Sequence, residues 1–221
     1  MKWTIPNSLT VLRLLAAPGV AVMFLYFHRP WADWFALTLF IGAAITDWFD
    51  GYLARLWKQE SKFGAMLDPI ADKAMVVIAI MVLTGYSGMN PWLILPATVI
   101  LFREVFVSGL REFLGAKAGL LKVTKLAKWK TTAQMVAIAV LFLGTGLEYL
   151  NGVAMQGMTP EQYAEAVVQG IADPIRACGR RDCASVAGDV GLVLMWVAAL
   201  LTAMTGLDYF KKSLPFLRED P

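Results

Sequence analysis

The sequence predicts an all-α integral membrane protein, a bundle of six transmembrane helices preceded by a short N-terminal interfacial segment. Three observations carry that expectation. Of the 221 residues, 58% are hydrophobic and only 17% are charged, with a mean hydropathy of +0.58, a more apolar balance than soluble domains carry. Six windows reach or approach the roughly 20 residues a helix needs to cross hydrocarbon. Basic residues, moreover, crowd the segments that would alternate onto one side of the membrane.

The elements follow in order. Met1 to Ser8 sets Trp3 and Ile5 beside Lys2 before Pro6-Asn7-Ser8, a helix start signal, and so reads as an interfacial segment. The predicted spans are Leu9 to His28, Trp31 to Phe49, Leu67 to Tyr86, Pro91 to Leu110, Ala133 to Leu150 and Gly188 to Phe210. Arg13 and Pro18 interrupt the first apolar run, which argues against a cleavable signal peptide. Asn7, Thr10 and Arg13 recur every third residue and share a helical face. That stripe is either a helix cap with a snorkelling arginine or part of a functional site. His28 sits where the first span leaves the membrane, beside Arg29, Pro30 and Trp31, and reads as an interfacial anchor. Gly85 to Gly88 is a turn signal closing the third span.

One domain is expected over residues 1–221, with an outer-face insertion at 151–187. Within it Cys178 and Cys183 frame a Gly-Arg-Arg-Asp sequence, and two cysteines on an outer loop suggest a disulfide rather than a metal site. If the N-terminus is inside, the inner segments hold Lys2, Arg55, Lys58, Lys62, Arg111, the lysines from Lys117 to Lys130, Lys211, Lys212 and Arg218, whereas the outer ones hold Arg29, Arg176, Arg180 and Arg181. Cytoplasmic termini follow. Net charge is only +3, and with the basic residues accounted for by topology no nucleic-acid partner is expected.

The chemistry concentrates between Asp47 and Asp72. Asp47 and Asp50 are three apart, Asp68 and Asp72 four apart, so on helices each pair projects from one face. Apolar runs lead in and out, and ionised groups in that setting are costly unless paired or metal-bound. Gly51 and Gly64 accompany the two pairs and leave backbone that a ligand can approach closely. Arg55, a turn beyond Gly51, has the side chain best shaped for a phosphate; pairing with an acid such as Glu60 is the alternative. Four carboxylates suit Mg²⁺ or Mn²⁺, and two pairs can hold two ions about 3.5 to 4 Å apart for in-line displacement at phosphorus. Arg103 and Arg111 share a face of the fourth span, and Lys128 and Lys130 open the fifth. Charges within spans usually face an interior or a water-filled cavity.

The spacing Asp47, Asp50, Gly51, Ala54, Arg55, then Gly64, Asp68 and Asp72, is similar to the signature of the CDP-alcohol phosphotransferase family, DxxDGxxAR followed after eight residues by GxxxDxxxD. The resemblance extends over essentially the whole chain. It implies six membrane helices with the site at the cytosolic face, and transfer from a CDP-linked lipid to an alcohol with release of CMP. Asp47, Asp50, Asp68 and Asp72 would ligate two Mg²⁺ or Mn²⁺ ions, and Asp72 would also act as general base. Asn7, Thr10, Gly51, Ala54, Arg55 and Gly64 would hold the CDP moiety. Three further stretches, Asn7 to Arg13, Arg103 to Glu112 and Lys125 to Gln134, resemble the bacterial members that use sn-glycerol 3-phosphate. CDP-diacylglycerol would then be the donor, Arg103, Arg111, Lys128 and Lys130 would bind the acceptor phosphate beside the acids, membrane lipid would surround the chain, and the assembly would be a homodimer. The competing readings are another acceptor within the family, as in a cardiolipin synthase or an inositol phosphate transferase, a divalent-cation or proton transporter, and a membrane scaffold. Acids gathered at one membrane face, without a pair of broken helices at the midplane, argue against a transporter.

Overall fold

The structure, a computed structural model, describes residues 5–29, 31–57, 62–115, 125–154 and 174–217, with backbone alone described for 5–6, 47–57, 62, 65, 125–128, 150–154, 174–185 and 217. The elements among these residues are helices: α1 Ile5–Tyr26, α2 Trp31–Trp57, α3 Lys62–Tyr86, α4 Pro91–Leu114, α5 Lys125–Ala154 and α6 Pro174–Leu217. Four described stretches are long and apolar enough to cross a membrane: Asn7–Tyr26, Pro91–Leu114, Trp129–Tyr149 and Val186–Phe216. Trp31–Thr46 is a shorter apolar helical stretch. Leu12, Leu15, Leu25, Phe102, Val105, Leu200 and Leu207 are exposed, as side chains that face lipid would be.

Local chemistry explains the boundaries. α3 stops at Tyr86, inside the expected turn, where Gly88 and Met89 take positive φ and the Ser87 hydroxyl accepts from the Asn90 N–H. Asn90 then caps α4, its side-chain oxygen accepting from the Trp92 N–H at 3.0 Å, and Pro91 occupies the first turn, where a missing N–H costs nothing. Gly115 closes α4 at φ 52°. Its left-handed conformation suits a residue without a Cβ.

Two expectations change. α1 is already helical at Ile5, so Asn7 and Ser8 lie within a helix rather than capping one, and Asn7 is buried. Within the expected insertion at 151–187, residues 151–154 belong to α5 and those from Pro174 onward to α6; residues 155–173 lie outside the described ones. Cys178 and Cys183 therefore fall in α6, with their side chains outside the description. Residues five apart on a continuous helix have Cα atoms roughly 8 to 9 Å apart, from 1.5 Å of rise per residue and 3.6 residues per turn, beyond disulfide reach. With this helix intact, both thiols are labelled by a maleimide in denaturing detergent without reductant; two thiols labelled only after reduction would show the bridge.

The chain packs as two compact units, Met1–Leu83 with Ile138–Gly191, and Thr84–Ala137 with Leu192–Pro221. In the first, small residues let helices approach closely: Ala17, Ala32, Ala36 and Ala71 are fully buried, and a Cβ on Gly144 would come within 3.3 Å of the Gly188 nitrogen. Phe142 of α5 packs between Phe24 and Phe40, with ring centroids 5.8 Å from each. Asp33, 1% exposed, receives both arms of Arg29, with Nε–Oδ2 at 2.8 Å. Arg29 also donates to the Thr145 carbonyl and lies over the Tyr149 ring, tying the start of α2 to α5. The second unit joins α4 to α6 through Trp92 and Trp196, whose indole N–H donates to the Trp92 carbonyl, and through Phe106 and Phe210.

Candidate active site

In the first unit α1 presents a polar face to the second acid pair. Asn7, Thr10 and Arg13 are 4%, 2% and 3% exposed, buried on one side of a helix whose Leu12 and Leu15 face outward. Across from them Asp68 and Asp72 stand one turn apart on α3, with Pro69 between them. The Thr10 hydroxyl donates to Asp68 Oδ1 at 2.7 Å, and Arg13 Nη1 donates to Asp72 Oδ1 at 2.9 Å. Arg13 Nη2 also lies 3.7 Å from Asp68 Oδ1. One guanidinium thus reaches both carboxylates through its two terminal nitrogens, which its planar fork holds at a fixed separation.

The carboxylates keep an open side. The side chains of Asp68 and Asp72 are 47% and 54% exposed although their arginine is buried. Two oxygen donors fixed from behind and accessible in front fit a hard divalent cation such as Mg²⁺ or Mn²⁺. Asp47, Asp50, Gly51, Ala54 and Arg55 lie in the last turns of α2, helical as expected, with side chains outside the described ones. Gly64 is buried in the first turn of α3. Among the described residues no group of three or more potential metal ligands is gathered, since only Asp68 and Asp72 of the four expected acids are among those side chains.

Sequence reasoning left Arg13 in a stripe that was either a cap or part of a site, and assigned neither Arg13 nor Thr10 a contact with the acids. In the structure Thr10 contacts Asp68 directly. The signal was present in the three-residue recurrence of Asn7, Thr10 and Arg13, which defines a face but not what that face meets.

In the second unit the basic residues assemble around an acid. Arg103 Nη1 donates to Glu104 Oε1 at 3.3 Å, and Lys130 Nζ, buried, donates to the same oxygen. Arg111 is exposed, its guanidinium 5.4 Å from the centroid of the Tyr209 ring. Lys128 lies in the first turn of α5 with its side chain outside the description. Glu104 is the second residue that the sequence reading did not place in the site. It brings two cations, 27 positions apart as Arg103 and Lys130, onto one carboxylate oxygen.

Asp68 and Asp72 thus offer oxygen ligands for a divalent ion in a chain whose described helices include four long and apolar enough to cross a membrane. The model of the CDP-alcohol phosphatidyltransferase family matches residues 3–204, and the chain belongs to that family. It is 80% identical over 220 residues, all of both chains, to the CDP-diacylglycerol–glycerol-3-phosphate 3-phosphatidyltransferase of Cereibacter sphaeroides. Proteins of the same name from Salmonella choleraesuis and Escherichia coli strain K12 are 44% and 43% identical over 143 residues, covering 64% of this chain and 78% of each relative.

Proposed function

We propose that the chain transfers the phosphatidyl group of CDP-diacylglycerol to sn-glycerol 3-phosphate, giving phosphatidylglycerophosphate and CMP. The observation that carries this reading is the Asp68 and Asp72 pair, fixed by α1 yet open on one side, at the positions where the family pattern has its second acid pair. The name borne by the full-length relative supports the choice of donor and acceptor.

In this reading Asp47, Asp50, Asp68 and Asp72 hold two divalent ions, Mg²⁺ or Mn²⁺, which neutralise the diphosphate and the departing CMP when bound. Gly51, Ala54, Arg55 and Gly64 hold the CDP moiety, with Asn7 and Thr10 lining the same end of α1. Asp72 takes the proton of the acceptor hydroxyl, whose oxygen forms a bond to the lipid-bearing phosphorus as the bond from that phosphorus to the bridging diphosphate oxygen breaks. Arg103, Arg111, Lys128 and Lys130 bind the acceptor phosphate, with arginine forks giving the geometry. Thr10 and Arg13 keep Asp68 and Asp72 in place.

Six spans, cytoplasmic termini and a bacterial inner-membrane location with the site facing the cytoplasm belong to the same proposal. The distribution of basic residues supports this orientation. A single domain over 1–221, with its insertion, is supported by a family match that runs through both compact units. A homodimer is carried by the family resemblance.

The test is CMP release by the purified chain. Release is expected to require both CDP-diacylglycerol and glycerol 3-phosphate, to stop in excess chelator and to return with Mg²⁺ or Mn²⁺. Undiminished release in chelator would remove the divalent-ion mechanism.

A further inference from the structure

Helices α4 and α6 run side by side in parallel register, with Trp92 at Trp196, Arg103 at Gly206 and Phe106 at Phe210. The register brings Gly206 and Tyr209, one turn apart on α6, to a seam with α4. A Cβ on Gly206 would come to 2.8 Å from Arg103 Cγ, so the stem of Arg103 occupies space that any other residue at position 206 would fill. One turn further, the Tyr209 ring packs with Val107, Leu110 and Leu114. Arg103 is within electrostatic range of both Arg111 and Tyr209.

Apolar packing of this kind needs a phenyl ring and gains nothing from a phenol. The Tyr209 hydroxyl is nevertheless buried with no hydrogen-bond partner, and Arg103 Nε is buried and unpartnered too. Thr202 Oγ1, one turn before Gly206 on α6, shares that condition. Buried polar atoms are nearly always paired, and exceptions call for an explanation such as a ligand that completes them. Charge indicates the sign of that ligand. Arg103 and Lys130 share the single Glu104 carboxylate, Arg111 contacts the Tyr209 ring, and nearby Asp208 is engaged by Lys212. Positive charge is in excess at this seam.

We propose that the seam is a subsite for a phosphate monoester, in which the Tyr209 hydroxyl donates to a phosphate oxygen held between the Arg103 and Arg111 guanidinium groups. Gly206 sets where Arg103 presents its Nε. Both unpartnered atoms are shut off from the surface, and the ligand reaches them by drawing the exposed Arg111 side chain off the ring. The inference rests on the reading of glycerol 3-phosphate as acceptor. It makes Tyr209 a specificity-determining residue, since a neutral alcohol has no group for its hydroxyl and the two arginines to share.

Tyr209→Phe in the full chain, assayed in mixed micelles of CDP-diacylglycerol, tests this. The KM for glycerol 3-phosphate is expected to rise about tenfold, the scale of one lost hydrogen bond to a charged ligand, with the KM for CDP-diacylglycerol unchanged. The melting temperature should hold or rise, because an unpaired buried hydroxyl is removed while the ring stays. Gly206→Ala, which displaces Arg103, should raise the same KM. An unchanged glycerol 3-phosphate KM in Tyr209→Phe, a rise confined to the CDP-lipid KM, or a lower melting temperature with normal kinetics would each overturn the proposal. Should Tyr209→Phe not fold, an unchanged acceptor KM in Gly206→Ala overturns it. A wild-type chain that releases CMP without regard to glycerol 3-phosphate would instead remove the underlying reading and the inference with it.

Discussion

Replacing Arg13 by alanine is expected to lower kcat by about a hundredfold, the scale of a misplacement of roughly 1 Å at a reacting centre. Arg13 is buried at 3% exposure, while the carboxylates it holds are about half exposed. Its loss therefore removes one anchor from each of two acids that are half exposed. Asp68 keeps its bond from Thr10, but Asp72 loses its 2.9 Å anchor. The defect should consequently be greater for the step that uses Asp72 than for donor binding, with kcat falling more than the KM for CDP-diacylglycerol rises. Arg13→Lys should restore only part of the rate, because an ammonium group carries the charge without the fork that spans Asp68 and Asp72. Wild-type kcat in a folded Arg13→Ala variant would show that α1 does not organise the acid pair.

Asp72→Asn is expected to have a larger effect, a loss of turnover of about 10³-fold, within the range that a positioned general base contributes. The amide preserves size and can still meet Arg13 through its oxygen, so the fold around α1 and α3 should persist. Binding of CDP-diacylglycerol should be largely retained, since a missing base affects chemistry more than ground-state affinity. Direct binding measurements on the folded variant separate the possibilities. If donor affinity and turnover fall together, Asp72 acts chiefly through what it helps to bind.

Much of this site was legible because helical periodicity is local. Asp68 and Asp72 read as one face from their four-residue spacing, and Asn7, Thr10 and Arg13 as another from a spacing of three. Their meeting was not legible: the contacts join positions 58 and 59 residues apart, and a periodic stripe specifies a direction without naming a partner. Glu104 was visible beside Arg103, but its attachment to Lys130 likewise required α4 and α5 to be brought together. Gly206 and Tyr209 gave no local pattern at all. Their interest lies in a Cβ-sized space and an unpaired hydroxyl, both properties of packing.

The fold divides in the same way. Gly85 to Gly88 marked the end of α3, which stops at Tyr86, and the span expected from Pro91 begins there as α4. The start of α6 was missed because the glycine, arginines and aspartate between Cys178 and Cys183 read as a polar loop. Pro174, well suited to the first turn of a helix, was the start signal there. The asparagine and serine near the chain start fit either caps or a functional stripe; helix is present at Ile5 and Asn7 turns inward, which leaves the stripe.

Identifying the lipid made by the purified chain in vesicles containing CDP-diacylglycerol tests the central claim most directly. Glycerol 3-phosphate labelled in both its carbon skeleton and its phosphate is supplied alongside phosphatidylglycerol and an inositol phosphate as competing acceptors. The account predicts one labelled lipid, phosphatidylglycerophosphate, carrying both labels and formed in step with CMP. Preferential formation of cardiolipin or an inositol lipid, or CMP release with neither label entering lipid, would contradict it.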